Sequence, residues 1–124
     1  MSNSWQVYKF GGTSLGTPGR LPRVLELITA GPRPLAVVVS ALGDTTDWLI
    51  LAARAAADGE IAHARSEIGR VRELAMNTAR PLFSAHALRA FKADLDEVLG
   101  WVRQLTEAAI EVRPIIEMPA ARPS

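Results

Sequence analysis

The chain has 124 residues, with Lys and Arg numbering 14 against 13 Asp and Glu, and it contains no cysteine. This length fits one small domain or part of a larger one, and 48% hydrophobic with 22% charged residues suits a folded chain rather than a disordered one. A formal net charge of +1 gives no electrostatic reason to expect nucleic acid or an acidic membrane as partner, and the missing thiols exclude disulfide scaffolds and cysteine chemistry.

In chain order, Met1 to Gln6 show neither the basic nor the apolar region of a signal peptide. No apolar run approaches the roughly 20 residues of a bilayer span. A cytoplasmic location, with no membrane partner, is the expectation. Trp5 to Phe10 is a run of bulky, β-prone side chains stopped by Gly11-Gly12, which predicts a strand entering a tight turn. Thr17-Pro18 reads as an N-cap with proline at the first helical position, and Leu21, Val24, Leu25 and Ile28 predict a helix over 18–30. Leu35 to Val39 is an unbroken apolar run between turn residues, as expected of a strand buried on both faces. Asp44 is positioned to cap a helix through Trp48, Leu49, Leu51 and Ala52 that ends at Asp58-Gly59.

This is strand–loop–helix twice over, an α/β pattern in which a right-handed crossover makes the strands parallel. The second half is helical. Ile61, Ala64, Ile68, Val71 and Ala75 mark one amphipathic helix, closed near Arg80-Pro81. Ser84 can cap the next, where Leu88, Phe91, Leu95, Val98, Val102, Leu105 and Ala109 form a stripe read as core. Trp5, Trp48 and Trp101 fall on apolar faces and are read as core too. His63 and His86 are too few and too separated for a metal site. From Val112 onward Pro114, Pro119 and Pro123 predict an irregular tail, so the expected division is 1–111 as catalytic-type domain and 112–124 as tail. Two parallel strands are too few to shield their own faces, so the pattern reads as the opening of a larger α/β sandwich that stops early.

Two loops stand out. Lys9-Phe10-Gly11-Gly12-Thr13-Ser14 ends the first strand with two glycines that let a ligand approach the backbone, two hydroxyls, and one of only two lysines in the chain, the other being Lys92. It is neither a Walker A loop, since the lysine precedes the glycines, nor a dinucleotide fingerprint. An anion cradle and a plain tight turn with a solvated Lys9 both suit these residues. Ser40 to Asp47 follows the second strand and is rich in small and hydroxyl residues, and parallel strands open both loops on one sheet edge.

Lys9-Phe10-Gly11-Gly12-Thr13-Ser14 followed by Val39-Ser40-Ala41-Leu42-Gly43-Asp44-Thr45-Thr46-Asp47 resembles the start of the aspartate kinases of the amino acid kinase superfamily. The resemblance implies transfer of the ATP γ-phosphoryl to the β-carboxylate of L-aspartate, in the pathway to lysine, threonine and methionine. It assigns Lys9 to charge stabilisation on the transferring group, and Lys9, Phe10, Gly11, Gly12 and Ser14 to the ATP phosphates. Ser40 and Thr46 would line the meeting place of phosphate and aspartate, with Mg²⁺ bridging the phosphates. Homo-oligomers follow from the family if the domain is complete. Bifunctional enzymes carrying a homoserine dehydrogenase begin the same way, and a shortened non-catalytic chain is the rival reading. The family's later Gly-Glu pair, which holds the substrate amino group, is not found after Gly59-Glu60, so the isolated chain is expected to be inactive.

Overall fold

The computed structural model of the chain describes residues 4–116. Strand β1 (Gln6–Phe10) leads into a one-turn helix α1 (Gly12–Leu15), a 3₁₀ turn (Pro18–Arg20) and helix α2 (Leu21–Ala30). Strand β2 (Leu35–Val39) follows, then helices α3 (Thr45–Ala57), α4 (Ile61–Ala79) and α5 (Ala85–Ile116). The strands pair in parallel, Gln6 opposite Leu35 through Phe10 opposite Val39. The α/β opening and the helical hairpin read from the sequence are therefore present.

Local chemistry explains most boundaries. Pro18 starts a 3₁₀ turn, with Arg20 N–H bonding the Thr17 carbonyl at 3.0 Å, before α-helical bonding takes over at Leu21. At the end of α2 the Arg33 guanidinium donates to the carbonyls of Ile28 and Gly31, both at 3.2 Å, satisfying groups the helix leaves open. α3 stops where Gly59 takes a left-handed conformation (φ 78°), so that Glu60 N–H reaches Ala55 O and Gly59 N–H reaches Ala56 O. Ser84 caps α5, its Oγ accepting from Ala87 N–H at 3.2 Å. Asp44 occupies the N-cap position of α3, but its side chain makes no capping hydrogen bond.

Two cores result. Under the sheet, Phe10, Leu15 and Val24 are buried together, with Tyr8, Leu21, Ile28 and Leu42 packed around them. In the helical half, Ala55, Ala56 and Ala64 make a small-residue seam that lets α3 and α4 approach closely, and Ile68, Val71, Met76 and Ala79 continue the buried face of α4. Two ion pairs clamp α4 to α5: Arg72 Nε stands 2.7 Å from Asp96 Oδ1, and Arg65 pairs with Glu107, which also receives Arg103 at 3.3 Å.

The turn expected at Gly11-Gly12 is present as the one-turn helix α1, capped by an extended Gly11 (φ −87°, ψ −174°). Three expectations need correction. β2 is not buried on both faces; Val38 and Val39 are 51% and 58% exposed, because no element among the described residues covers them. The stripe on α5 is not buried core: Leu88, Phe91, Leu95 and Val102 are half-buried, Val98 and Leu105 are exposed, and Trp5 and Trp101 are exposed as well. α5 has 32 residues against 19 in α4 and 13 in α3, so it outruns both helices that it packs against among the described residues. Finally, α5 continues through Pro114 to Ile116 instead of fraying at Val112. Proline removes one backbone donor, a loss that an established helix can carry near its end. The rest of the expected tail, 117–124, lies outside the described residues. Among the described residues no helix is long and apolar enough to cross a membrane.

Candidate active site

The parallel register fixes where the two loops go. β1 and β2 point the same way, so the segments after Phe10 and Val39 leave from one edge of the sheet. Ser40 N–H donates to Phe10 O at 3.1 Å, so the second loop is tied to the last residue of β1. Farther along, a Cβ on Gly43 would lie 3.6 Å from the Gly16 carbonyl, and Leu42 packs onto the Phe10–Leu15–Val24 core. The two loops are in contact. Gly43 itself is left-handed (φ 46°), a backbone that glycine adopts without strain.

Side-chain alternation then sorts the residues. Phe10 turns into the core, so Lys9 stands on the opposite face of β1, exposed and opposite Val38. Alternation carried one residue beyond β2 sends Ser40 to that same face. Its hydroxyl donates to the Ala41 carbonyl at 3.1 Å, which orients the Oγ along the loop. Gly11 O accepts from both Ser14 N–H and Leu15 N–H at 3.1 Å, closing α1 on itself. A Cβ on Gly11 or Gly12 would meet nothing within 4 Å, so open space lies over this backbone. Ser14 is half-buried beside it, and Thr46 is exposed on the first turn of α3.

The structure thus brings the Gly11–Ser14 turn, Ser40 and the Gly43 turn to one edge. It does not draw Lys9 and Thr46 into one enclosed cavity. Lys9 lines a shallow hollow of about 350 Å³ with Val7, Tyr8, Phe10 and Leu27, on the β1 side of the sheet. What the sequence reading missed is Leu74 of α4, whose Cδ2 would sit 3.2 Å from a Cβ on Gly43. Its membership in the apolar face of α4, three residues after Val71, was the available signal. Among the described residues no three His, Asp or Glu side chains gather as a metal site.

Comparison with known proteins agrees with this geometry. Residues 4–115 match the Amino acid kinase family. Aspartokinase 1, chloroplastic, of Arabidopsis thaliana is 29% identical over 111 residues, 86% of this chain and 20% of that protein. The aspartokinase of Chlamydia trachomatis is 56% identical over 43 residues, 35% of this chain and 10% of its own length. Bifunctional aspartokinase/homoserine dehydrogenase 1, chloroplastic, of Zea mays is 35% identical over 109 residues, 84% of this chain and 11% of that protein. The chain therefore spans a fifth or less of the length of these relatives, and over nearly all of its own length it belongs to the amino acid kinase family.

Proposed function

We propose that this chain is the N-terminal portion of an aspartate kinase, whose complete domain transfers the γ-phosphoryl of ATP to the β-carboxylate of L-aspartate. The observation that carries the reading is the contact between two loops on one edge of a parallel sheet, one of them holding Lys9, Gly11, Gly12 and Ser14, the other Ser40. The names of the relatives, aspartokinases alone or fused to a homoserine dehydrogenase, support the choice of acceptor. A cytoplasmic location and assembly into homo-oligomers belong to the same reading.

Phosphoryl transfer asks a protein mainly for positioning and for charge stabilisation. Open backbone at Gly11 and Gly12 leaves room for phosphate oxygens against the amides, since no Cβ fills that space. Lys9 supplies a compact positive charge at the strand end beside them. Phe10 anchors that strand end in the core, so the lysine and the glycines keep a fixed relation. Ser14 supports the turn from within. Ser40 stands on the Lys9 face, and Thr46 flanks the acceptor side. Mg²⁺, when bound with the nucleotide, would supply further charge neutralisation.

The chain alone should show no turnover in a coupled ADP assay, because the Gly-Glu segment expected to hold the substrate amino group is absent from it. Turnover above that of Lys9→Ala would contradict this. In an enzyme carrying this segment within a complete domain, Lys9→Ala should lower kcat on the order of 10²–10³. It should change the KM for ATP less than it changes kcat. Lys9→Arg should rescue poorly, since a planar fork replaces a point charge. Lys92→Ala, on exposed α5, is the control; equal mildness of the Lys9 and Lys92 variants would refute the assignment.

A further inference from the structure

Leu74 also lines a hollow of about 250 Å³ between α3 and α4, together with Trp48, Arg70, Glu73 and Asn77. The four α4 residues share one helix face, being spaced by three and four. The volume is several times the roughly 30 Å³ share of one water molecule, yet below the roughly 300 Å³ at which pockets for larger ligands begin. It suits a small metabolite.

Its polar groups are held apart rather than paired with one another. The Arg70 guanidinium leans towards Glu67, 3.8 Å from Oε2, too far for a hydrogen bond. That Oε2 is buried and has no hydrogen-bond partner among the described residues, so it holds positive charge on this side of the helix without consuming Arg70's donors. Glu67 Oε1 is met by His63 Nε2 at 3.3 Å. Asn77 Oδ1 accepts from Arg80, which leaves the Asn77 amide N–H groups as donors. Glu73 forms no ion pair or hydrogen bond among the described residues. The lining therefore offers donors from Arg70 and Asn77, a carboxylate acceptor from Glu73, and an aromatic wall from the half-buried Trp48.

We propose that this hollow binds a free α-amino acid, its carboxylate on Arg70 and Asn77, its ammonium on Glu73, and its side chain against Trp48. One positive and one negative lining group favour a zwitterion over a plain anion, which would meet the Glu73 carboxylate. Leu74 lines the hollow and also stands beside Gly43, where its Cδ2 would lie 3.2 Å from a Cβ. The inference stands on this geometry and does not depend on a nucleotide occupying the other loop.

The test is a titration of the intact chain, isotope-labelled, with L-aspartate, L-alanine and succinate, read by NMR shifts of backbone amides and of the tryptophan indoles. Saturable shifts with Kd in the millimolar range should centre on Trp48, Arg70, Glu73 and Asn77 for both amino acids and be absent for succinate, which lacks the ammonium. Glu73→Gln and Arg70→Gln alter exposed side chains and should each weaken binding about tenfold with the spectrum otherwise kept. Lys9→Ala should leave amino-acid binding intact, so loss of the kinase reading and loss of this one are separable. Succinate binding as tightly as L-aspartate, shifts centred elsewhere, or unchanged affinity in both variants would overturn the proposal.

Discussion

The sheet half and the helical half solve the packing problem differently. In the helical half, small residues at the α3–α4 seam are sealed, with Ala56 and Ala64 fully buried, and ion pairs clamp α4 to α5. In the sheet half, α2 covers one face behind Phe10 and Val24, while Val7, Val38 and Val39 stand in solvent. A parallel sheet needs cover on both faces, and this one has it on part of one. The residues proposed for phosphoryl transfer sit in or beside the less covered half. Binding loops gain from an open edge, whereas the helices that brace them gain from closure along their shared seam.

The sharpest way to break this contrast is to empty the smaller core. Phe10→Ala removes the largest side chain from the sheet cluster and should cost about 3–5 kcal/mol. Amide exchange should then lose protection in β1, β2 and α2 while α3 and α4 keep theirs. Equal loss in all of these elements would show one cooperative unit instead of two unequal ones.

A smaller effect probes the joint between the halves. Gly43→Ala places a Cβ in left-handed backbone and 3.2 Å from Leu74 Cδ2, so it should cost about 1–2 kcal/mol by urea unfolding. In a Leu74→Ala background only the backbone part should remain. If the two substitutions simply add, Leu74 does not bear on the turn.

The smallest expected effect concerns the helical clamp. The Arg72 guanidinium holds the Asp96 carboxyl below the ordinary aspartate range, and Arg65, with Arg103, does the same for Glu107. A depressed carboxylate contributes stability that is present above its unfolded pKa and lost as pH falls through the folded one. Acid should therefore loosen α5 from α4 first. These groups are exposed and screened by salt, so the effect is modest. Asp96→Asn should remove its share of the acid limb, visible as flatter α5 amide exchange between neutral and acidic pH. An unchanged pH profile would deny the pair any part.

Much of the fold was legible in the sequence because its elements carry local marks. The Val–Val–Val run, the Asp58-Gly59 stop and Ser84 as a cap each depend on neighbours a few residues away. What failed depends on partners distant in sequence. An apolar strand says that it wants cover, not that cover exists, so the exposure of Val38 and Val39 could not be read. The same holds for Trp101 and Leu105, whose helical spacing marks an apolar stripe but not a partner to cover it. Arg65 and Glu107, 42 residues apart, have no spacing that announces a pair. The candidate site was legible as two loops on one edge, since parallel pairing follows from the strand–loop–helix order. Their direct contact through Gly16 and Gly43, and the approach of Leu74, needed the coordinates.

The open edge of the sheet half is proposed to receive phosphate. The most direct measurement is amide-resolved mapping of ATP titrated into the intact chain, with Lys9→Ala beside it. Shifts should concentrate at Gly11, Gly12, Ser14 and Ser40 and fade in the variant. Shifts gathered instead along the Arg65, Arg72 and Arg103 groove between α4 and α5, unaffected by loss of Lys9, would contradict it.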